Sequence, residues 1–304
     1  MDLEWLQSFV HLAQTGSFSR SAEESHVTQP AFSRRIKAVE TWLGTPLVDR
    51  STYPTKLTTR GKEFLKIAEE VIGALHAIKR DFADDRLQET NIINIAALHT
   101  LSLTFFPKWV GHLGNDIRKL NYRLISDNLH DCVQALVEGS CDLLLCYSHE
   151  SKPIMLDANR FPNIVLGKEV VIPVSAPRGK RRPMFSLPSR ADQPVPLLAY
   201  SPESFLGSVL DAIFRERRRS LHFRVVYENS FAEALKAMAV AGFGLTWLPM
   251  NSVQPELASG RLVRAGPANW DLAFDIRLFR AADRGRPATE QLWVAAAKAA
   301  RVEL

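Results

Sequence analysis

Apolar residues recur at helical spacing in three short runs near the start of the chain. In the first run they fall every three or four residues, at Leu3, Leu6, Phe9, Val10 and Ala13. The run stops at Gly16, a residue that often ends helices, so the pattern predicts a helix over residues 3–15. A very short helix over residues 18–25 follows. Its small residues, Ser21 and Ala22, allow another helix to cross at close range.

A third helix is predicted to begin at Gln29. Thr28 is placed to cap it, and Pro30 fits the first helical turn, where a missing N–H costs nothing. The apolar stripe of this helix consists of Phe32, Ile36, Val39 and Leu43. The segment 45–59 then carries prolines between short apolar stretches, which indicates a small two-stranded wing.

From Thr59 to about Arg86 the chain contains no proline and keeps an apolar face, which predicts one long helix. The residues of that face are Phe64, Leu65, Ala68, Val71, Ile72, Leu75 and Ile78. Because such a face has no partner in its own small domain, we expect it to pair with a second copy of the chain, which gives a homodimer.

Beyond residue 91 the pattern changes to short β-branched runs separated by helical patterns. The predicted strands are residues 91–98, 122–127, 141–147, 170–176, 196–200, 223–228, 244–249, 261–266 and 274–279. Strands that alternate with helices indicate a mixed, mainly parallel α/β sheet, and nine strands over this length favour two α/β lobes. The Arg- and Pro-rich stretch 177–190 is predicted to be a surface loop.

Composition changes this picture little. The chain has 304 residues, of which 46% are hydrophobic and 23% charged, as expected for globular protein of more than one domain. Cys132, Cys141 and Cys146 form no CxxC pair and have no histidine at zinc-ligand spacing, so we predict no metal and no cofactor. The acidic N-terminus and the lack of an apolar run of about 18 residues predict a cytoplasmic protein with no membrane partner.

The basic residues are concentrated between Gln29 and Lys62. Seven Lys or Arg residues and two acidic residues give this segment a net charge of +5, which equals the formal net charge of the whole chain. A surface that faces DNA phosphates needs such a concentration, and Gln and Arg side chains at the start of a helix can read adenine and guanine edges. Charge alone leaves open a solvated basic face on an ordinary three-helix bundle.

Residues 9–65 resemble the winged helix-turn-helix of LysR-type transcription regulators. The resemblance rests on GSFSRSA, TQPAFSRRIKAVE, LGTPLVDR and LTTRGKEFL. It implies that the third helix enters the major groove of an operator and that the wing holds the DNA backbone. The residues expected to contact double-stranded DNA are Thr28, Gln29, Pro30, Ser33, Arg34, Arg35, Lys37, Arg50 and Lys56.

The rest of the chain resembles the effector domain of the same family, in segments such as NIINIAALHTLSLTFFPKWV, PLLAYSPESFLG and FDIRLFR. The resemblance implies two α/β lobes, similar to a periplasmic binding protein, that close on a small effector. The residues expected at the cleft are His99, Thr100, Leu101, Ser102, Tyr147, Ser148, Tyr200, Ser201, Ser204, Phe205, Asn229, Phe231, Thr246 and Trp247. Aromatic and hydroxyl groups dominate this set, which suits a small organic acid or an aromatic molecule.

These expectations define three parts of the chain. An α+β winged helix-turn-helix occupies residues 1–58, a linker helix residues 59–89, and an α/β effector domain residues 90–304. Within the last, lobe 1 is expected to take about residues 90–165 and 267–304, and lobe 2 about residues 166–266. The family resemblance also implies that linker-helix dimers associate further into a homotetramer.

Three other interpretations are open. AALHTLSL and GFGLTWLP resemble the hypochlorite-responsive members of the family, but Leu206 and Phe231 stand where two sensing methionines are expected, and neither side chain can form a sulfoxide. An enzyme would use acid/base or nucleophile groups at His99, Ser102, Asp127, His130 and Asp131, yet none of the common catalytic motifs is present. A purely DNA-organising protein would not need a two-lobed ligand domain.

Overall fold

A computed structural model describes residues 2–52, 54–84, 92–179, 182–189, 192–216, 222–283 and 285–300. The chain divides into two compact units. The first comprises Met1–Thr90 with Val137–Ser140, and the second comprises Asn91–Leu136 with Cys141–Leu304. In the described part of the chain, no helix is both long enough and apolar enough to cross a membrane.

The first unit contains four helices and a two-stranded hairpin among its described residues. They are α1 (Leu3–Thr15), α2 (Phe18–Glu24), α3 (Gln29–Leu43), β1 (Val48–Asp49), β2 (Lys56–Leu57) and α4 (Thr59–Asp84). The predicted starts of all four helices are confirmed. Both α1 and α3 end at glycines in the left-handed conformation, Gly16 (φ 63°) and Gly44 (φ 67°), where a side chain would be strained. Thr28, in contrast, makes no side-chain capping bond to α3.

One hydrophobic core joins these elements. Phe9 of α1 and Phe32 of α3 are fully buried, and the ring of Phe64 on α4 lies 5.3 Å from that of Phe9 between centroids. Ala68 and Ile72, one and two turns further along α4, are also fully buried in this core. The first four turns of α4 therefore belong to the core of the first unit.

This packing corrects the prediction of a single unpartnered face on α4. Phe64, Ala68 and Ile72 are covered by the helix's own unit. A second, neighbouring stripe remains exposed, and its members, each four residues from the next, are Ile67 (55% exposed), Val71 (41%) and Leu75 (44%). The side chain of Ile78 lies outside the described residues. We refer to Ile67, Val71 and Leu75 as the exposed stripe.

The second unit is an α/β structure. Its strands are β3 (Ile92–Leu98), β4 (Asn121–Asp127), β5 (Leu143–Ser148), β6 (Asn163–Ser175), β7 (Pro177–Arg178), β8 (Arg182–Pro183), β9 (Val195–Tyr200), β10 (Phe223–Asn229), β11 (Thr246–Pro249), β12 (Val263–Arg264) and β13 (Leu272–Arg280). Its helices are α5 (His99–Thr104), α6 (Phe106–His112), α7 (Asn115–Arg118), α8 (Leu129–Val137), α9 (Phe205–Glu216), α10 (Ala232–Val240), α11 (Met250–Ser259) and α12 (Pro287–Ala300). Each of the nine predicted strands overlaps one of these strands.

The main sheet has the order β11-β6-β13-β5-β3-β4, with β12 also paired to β6. Strands β4, β3 and β5 are parallel, as predicted, but every pairing of β6 and β13 is antiparallel. The expectation of a mainly parallel sheet is therefore wrong for this part. The N-terminal part of β6 pairs with β13 and its C-terminal part with β11 and β12, so β6 connects two lobes.

Lobe 2 is built around a parallel pair, β9 and β10, next to β11. The segment predicted to be a plain surface loop, residues 177–190, instead contains the β7–β8 hairpin and a buried anchor. Leu187 is buried, and its N–H donates to the carbonyl of Ala265 at 2.7 Å. The sequence pattern could not predict the burial of Leu187, because a single apolar residue in a polar segment gives no periodic signal.

Candidate nucleic-acid interface and ligand cleft

The start of α3 presents polar residues on the side opposite to its buried stripe. Gln29, Pro30, Arg34 and Lys37 are exposed and Ser33 is half-buried, whereas Phe32 and Ile36 are fully buried. Helix α2 can pack closely on α3 because two of its residues are small and buried, Ser21 and Ala22. This is the helix-turn-helix arrangement, with the first turns of α3 free to enter a groove.

Two arginines expected at the DNA have roles within the protein. The Arg35 guanidinium lies 2.6 Å from a carboxylate oxygen of Glu4 and donates to Ser8 Oγ at 3.4 Å, so Arg35 ties α3 to α1. Its role as a direct DNA contact stays a prediction. Arg50 lies 3.1 Å from Glu40, and it is still exposed.

Glu40 fixes the wing to α3, a role that sequence reasoning missed. One carboxylate oxygen of Glu40 accepts the N–H groups of Leu47 (2.9 Å) and Val48 (3.3 Å), and the other accepts from Arg50. The Arg50 guanidinium also lies 5.2 Å from the centre of the Phe18 ring. These contacts hold Arg50 beside the C-terminal half of α3, and the exposed Lys56 lies opposite Asp49 on the same hairpin.

Gly61 allows the linker helix to begin directly beside the wing. A Cβ at this position would lie 2.0 Å from the backbone oxygen of Leu47, so any other residue would force the two apart. The N–H of Gly61 donates to Thr58 Oγ1 at 3.0 Å, which caps the start of α4. The close approach of the Leu47 backbone therefore explains why the segment LTTRGKEFL has a glycine at position 61.

A cleft lies in the second unit where loops after β3, β4, β5 and β9 meet. It holds about 350 Å³ of space, part of it open to solvent. The residues that line it are Leu98, His99, Thr100, Asp127, Asn128 and Tyr147 from lobe 1 and Tyr200, Ser204, Phe205, Leu206 and Ser230 from lobe 2. The carboxyl ends of parallel strands meet here, which is where α/β proteins place ligands.

Two tyrosines give the cleft its most specific polar groups. Tyr147 is 1% and Tyr200 7% exposed, and neither hydroxyl has a hydrogen-bond partner among the described residues. Burial raises the pKa of both phenols well above the ordinary value. Each hydroxyl therefore stays protonated at neutral pH and can act as a hydrogen-bond donor. An unsatisfied buried hydroxyl is costly, and a ligand that accepts from both would remove that cost.

The other polar groups set the charge of the cleft. Asp127 supplies a carboxylate, of which Oδ1 accepts the N–H of Asn128 at 2.8 Å, and no Arg or Lys is among the lining residues. Ser204 caps α9, because it accepts the N–H of Gly207 at 3.0 Å and donates to the Ser201 carbonyl at 2.8 Å. The walls therefore favour a neutral or amine-bearing ligand over a free carboxylate.

The two lobes touch at the edge of this cleft. The ring of His99, after β3, lies 4.5 Å from the ring of Phe231, after β10, between centroids. Phe231 itself is 48% exposed and does not line the cleft. Closure at this side is therefore made by two aromatic rings from different lobes.

Six of the fourteen residues expected at the cleft line it in the structure, namely His99, Thr100, Tyr147, Tyr200, Ser204 and Phe205. Leu101 is instead buried in the core, and the hydroxyl of Ser102 donates to the carbonyl of His99 while it accepts from Ser126. The remaining expected residues outside the lining are Ser148, Ser201, Asn229, Phe231, Thr246 and Trp247, of which the last two line a separate cavity.

Sequence reasoning did not place Leu98, Asp127, Asn128, Leu206 and Ser230 in the cleft. A signal was available for two of them. Asp127 ends β4 and Asn128 follows it, just as His99 and Thr100 follow the parallel strand β3. The rule that ligands bind at the carboxyl ends of parallel strands could have included both.

The three cysteines are buried, and none forms a disulfide with another cysteine that the structure describes. Burial raises the pKa of Cys132 to about 12 and that of Cys146 well above the usual thiol value. Both thiols therefore stay protonated at neutral pH, and a protonated thiol is a poor nucleophile toward oxidants.

Comparison with known proteins identifies the class to which this arrangement belongs. Residues 3–62 match the family described as bacterial regulatory helix-turn-helix protein, lysR family, and residues 86–301 match the LysR substrate binding domain. The protein is a DNA-binding transcription regulator with an effector-binding domain. The chain belongs to the LysR family.

Individual relatives cover nearly the whole chain. The HTH-type transcriptional regulator YjiE of Escherichia coli is 29% identical over 96% of this chain and 93% of its own. The full-length hypochlorite-specific regulator HypT of Salmonella typhimurium is 28% identical, with a TM-score of 0.62 over 99% of each chain. Vibrio fischeri DarR, solved in complex with DNA, is 29% identical, with a TM-score of 0.60 over 98% of each chain. These relatives are regulators and not enzymes, which removes the support for a catalytic function.

Proposed function

We propose that this protein controls transcription by binding an operator through the first turns of α3 and the wing, and that a small polar effector in the cleft changes this binding. The effector part of the proposal rests on Tyr147 and Tyr200, which both line the cleft and whose buried hydroxyls have no hydrogen-bond partner among the described residues. A hydroxyl buried without a partner in an unliganded wall suits a site that a ligand completes.

The DNA-contacting set that we propose is narrower than the one predicted from sequence. It comprises Gln29, Pro30, Ser33, Arg34 and Lys37 on α3 and Arg50 and Lys56 on the hairpin, together with Thr28 at the start of α3. The complex of DarR with DNA supports this part of the proposal, because that relative aligns over nearly the full length of both chains. Such binding would take place where the chromosome is, in the cytoplasm.

The chemistry of the cleft walls narrows the effector. Two phenol donors require an acceptor on the ligand, and Asp127 requires a donor. No basic side chain lines the site to balance a second negative charge. We therefore infer a small ligand, neutral or amine-bearing, that carries both a hydrogen-bond acceptor and a donor. Of the two classes expected from sequence, an organic acid or an aromatic molecule, this disfavours the organic acid.

Oxidant sensing, as the name of HypT describes for that relative, has less support here. Leu206 lies in the cleft and Phe231 at its edge, at positions where the hypochlorite-responsive members are expected to have methionines. Neither side chain can be oxidised to a sulfoxide. The thiols of Cys132 and Cys146 do not replace that chemistry, because burial raises the pKa of both and keeps them protonated.

We further propose that the chain forms a homodimer through the exposed stripe of α4, and that effector domains join two dimers into a tetramer. Three exposed apolar side chains in a row on one helix support the dimer, since a coiled-coil partner would cover them. The proposed division of the chain is residues 1–58 for the DNA-binding domain, 59–89 for the linker and 90–304 for the effector domain.

Substitutions in the cleft test the effector site. We expect Tyr147→Phe, and independently Thr100→Val, to reduce the effect of the ligand on operator binding at least about tenfold, since each removes one polar group from the wall. Operator affinity without ligand should stay within about twofold of wild type, because ligand acts only through its differential affinity for two states. The ligand is first found by thermal shift of the full chain against small metabolites.

The measurement is fluorescence anisotropy of a labelled operator with and without that ligand. Tyr122→Phe is the matched control, because its hydroxyl donates to the Ile117 carbonyl at 2.6 Å and does not line the cleft. If Tyr147→Phe and Thr100→Val both keep the full ligand-dependent change, the effector binds elsewhere and the proposed site is wrong.

A further inference from the structure

Lobe 2 contains a second cavity, larger than the cleft, beneath helix α9. It holds about 690 Å³ of space, part of it open to solvent. The lining residues that matter here are Leu210, Asp211, Phe214, Glu228, Thr246 and Trp247. A cavity of this extent within a single lobe is not needed for closing two lobes on an effector.

The inner walls are apolar and fixed in place. Leu210 and Trp247 are buried, and the Trp247 ring lies 4.9 Å from that of Phe214 between centroids. The Trp247 Nε1–H donates to the carbonyl of Trp270 at 2.9 Å, so the indole is held in one orientation. A flat aromatic body would pack against these walls without rearranging them.

One polar group lies deep in the cavity. Thr246 is fully buried on β11, and its hydroxyl has no hydrogen-bond partner among the residues that the structure describes. A valine would fill the same space without this cost, so the hydroxyl points to a polar atom on an occupant.

The charged groups lie at the opposite, exposed end. Asp211 on α9 and Glu228 on β10 are both exposed, and Asp211 pairs with Arg215, which is outside the lining. No Lys, Arg or His is among the lining residues. The Arg215 guanidinium compensates the charge of Asp211, so Glu228 is the acid of the lining that favours a cation over an anion.

We propose that this cavity is a binding site for a small aromatic amine that also carries a ring hydroxyl. The hydroxyl would reach Thr246, the ring would lie between Leu210 and Trp247, and the ammonium group would lie at the mouth near Glu228. Tyr200 lines both this cavity and the cleft, so an occupant here contacts a side chain of the effector site. The inference does not depend on the effector that we propose for the cleft.

The test uses the full-length protein labelled with 5-fluorotryptophan, with the Trp247 fluorine resonance assigned by Trp247→Phe. Tyramine is expected to shift this resonance in a saturable way. Phenethylamine, which lacks the ring hydroxyl, should bind about tenfold more weakly, and 3-(4-hydroxyphenyl)propionate should not bind measurably. Thr246→Val should lower tyramine affinity to that of phenethylamine and leave phenethylamine affinity unchanged.

Two neighbouring valines on β10 provide a matched pair of variants. Both are exposed, but Val225 lines the cavity and Val226 does not. We expect Val225→Lys to abolish the tyramine shift and Val226→Lys to retain it. Ser230→Phe, which obstructs only the cleft, should also retain it.

Several results would overturn the proposal. They are the absence of a saturable shift at Trp247, equal binding of the amine and the carboxylate, or loss of the shift in Ser230→Phe. A Trp247 resonance that moves with protein concentration alone would mean that a second copy of the chain covers the mouth. Ser230→Phe obstructs the cleft alone and so separates the two sites. If the cavity does not bind the amine, the effector site proposed for the cleft is unaffected. If the cleft does not bind an effector, the site proposed for the cavity is unaffected.

Discussion

Replacing Arg34 by alanine is expected to weaken binding of the specific operator by about 1–3 kcal/mol, which is about 5- to 150-fold, and to relax preference at one base pair. Arg34 is exposed on the first half of α3 and makes no ion pair with any residue that the structure describes. A guanidinium so placed can donate twice to the major-groove edge of guanine. The measurement is anisotropy at fixed salt against the operator and its single-base-pair variants.

Arg35→Ala is the matched control at the neighbouring position. Because Arg35 pairs with Glu4 and Ser8, we expect this variant to lower the melting temperature slightly and to leave base preference unchanged. A uniform loss of affinity across all duplexes in Arg34→Ala, with a smaller dependence on salt, would identify Arg34 as a phosphate contact and contradict base reading.

Leu75→Glu in the exposed stripe is expected to raise the dimer dissociation constant at least about 100-fold, because a carboxylate would be buried at the helix–helix contact without a partner. Leu75 is 44% exposed within the described structure, so the charge should not unfold the subunit itself. Sedimentation velocity at several protein concentrations measures this directly.

Lys66→Glu places an even larger change of charge on the same helix at an exposed position outside the stripe. We expect this control to sediment as wild type. If Leu75→Glu also sediments as wild type and still binds the operator, the dimer does not form through the exposed stripe.

The helices of the first unit could be predicted because their signals are local. The runs over α1 and α3 end at Gly16 and Gly44, and both glycines adopt the left-handed conformation that the pattern requires. Which apolar side chains of α4 remain exposed could not be read in the same way. That depends on where α1 crosses α4, a contact between residues far apart in sequence such as Phe9 and Phe64.

The ligand cleft was predictable in part, because some of its residues also have a local sequence signal. Residues directly after strands, such as His99 and Thr100, follow the rule for parallel sheets and line the cleft. Thr246 and Trp247 were expected there because of the family resemblance, yet they face a different cavity. The side that they face is set by how α9 packs across β9 and β11, which the local pattern does not encode.

Selection of bound sequences from a pool of random DNA duplexes tests the central claim most directly. We predict that the full-length protein enriches one motif with two inverted half-sites, spaced by whole helical turns as two copies of α3 would require. The Arg34→Ala protein should enrich the same motif with one position in each half-site relaxed. Enrichment of sequences with no shared motif by the wild-type protein would contradict operator binding through α3.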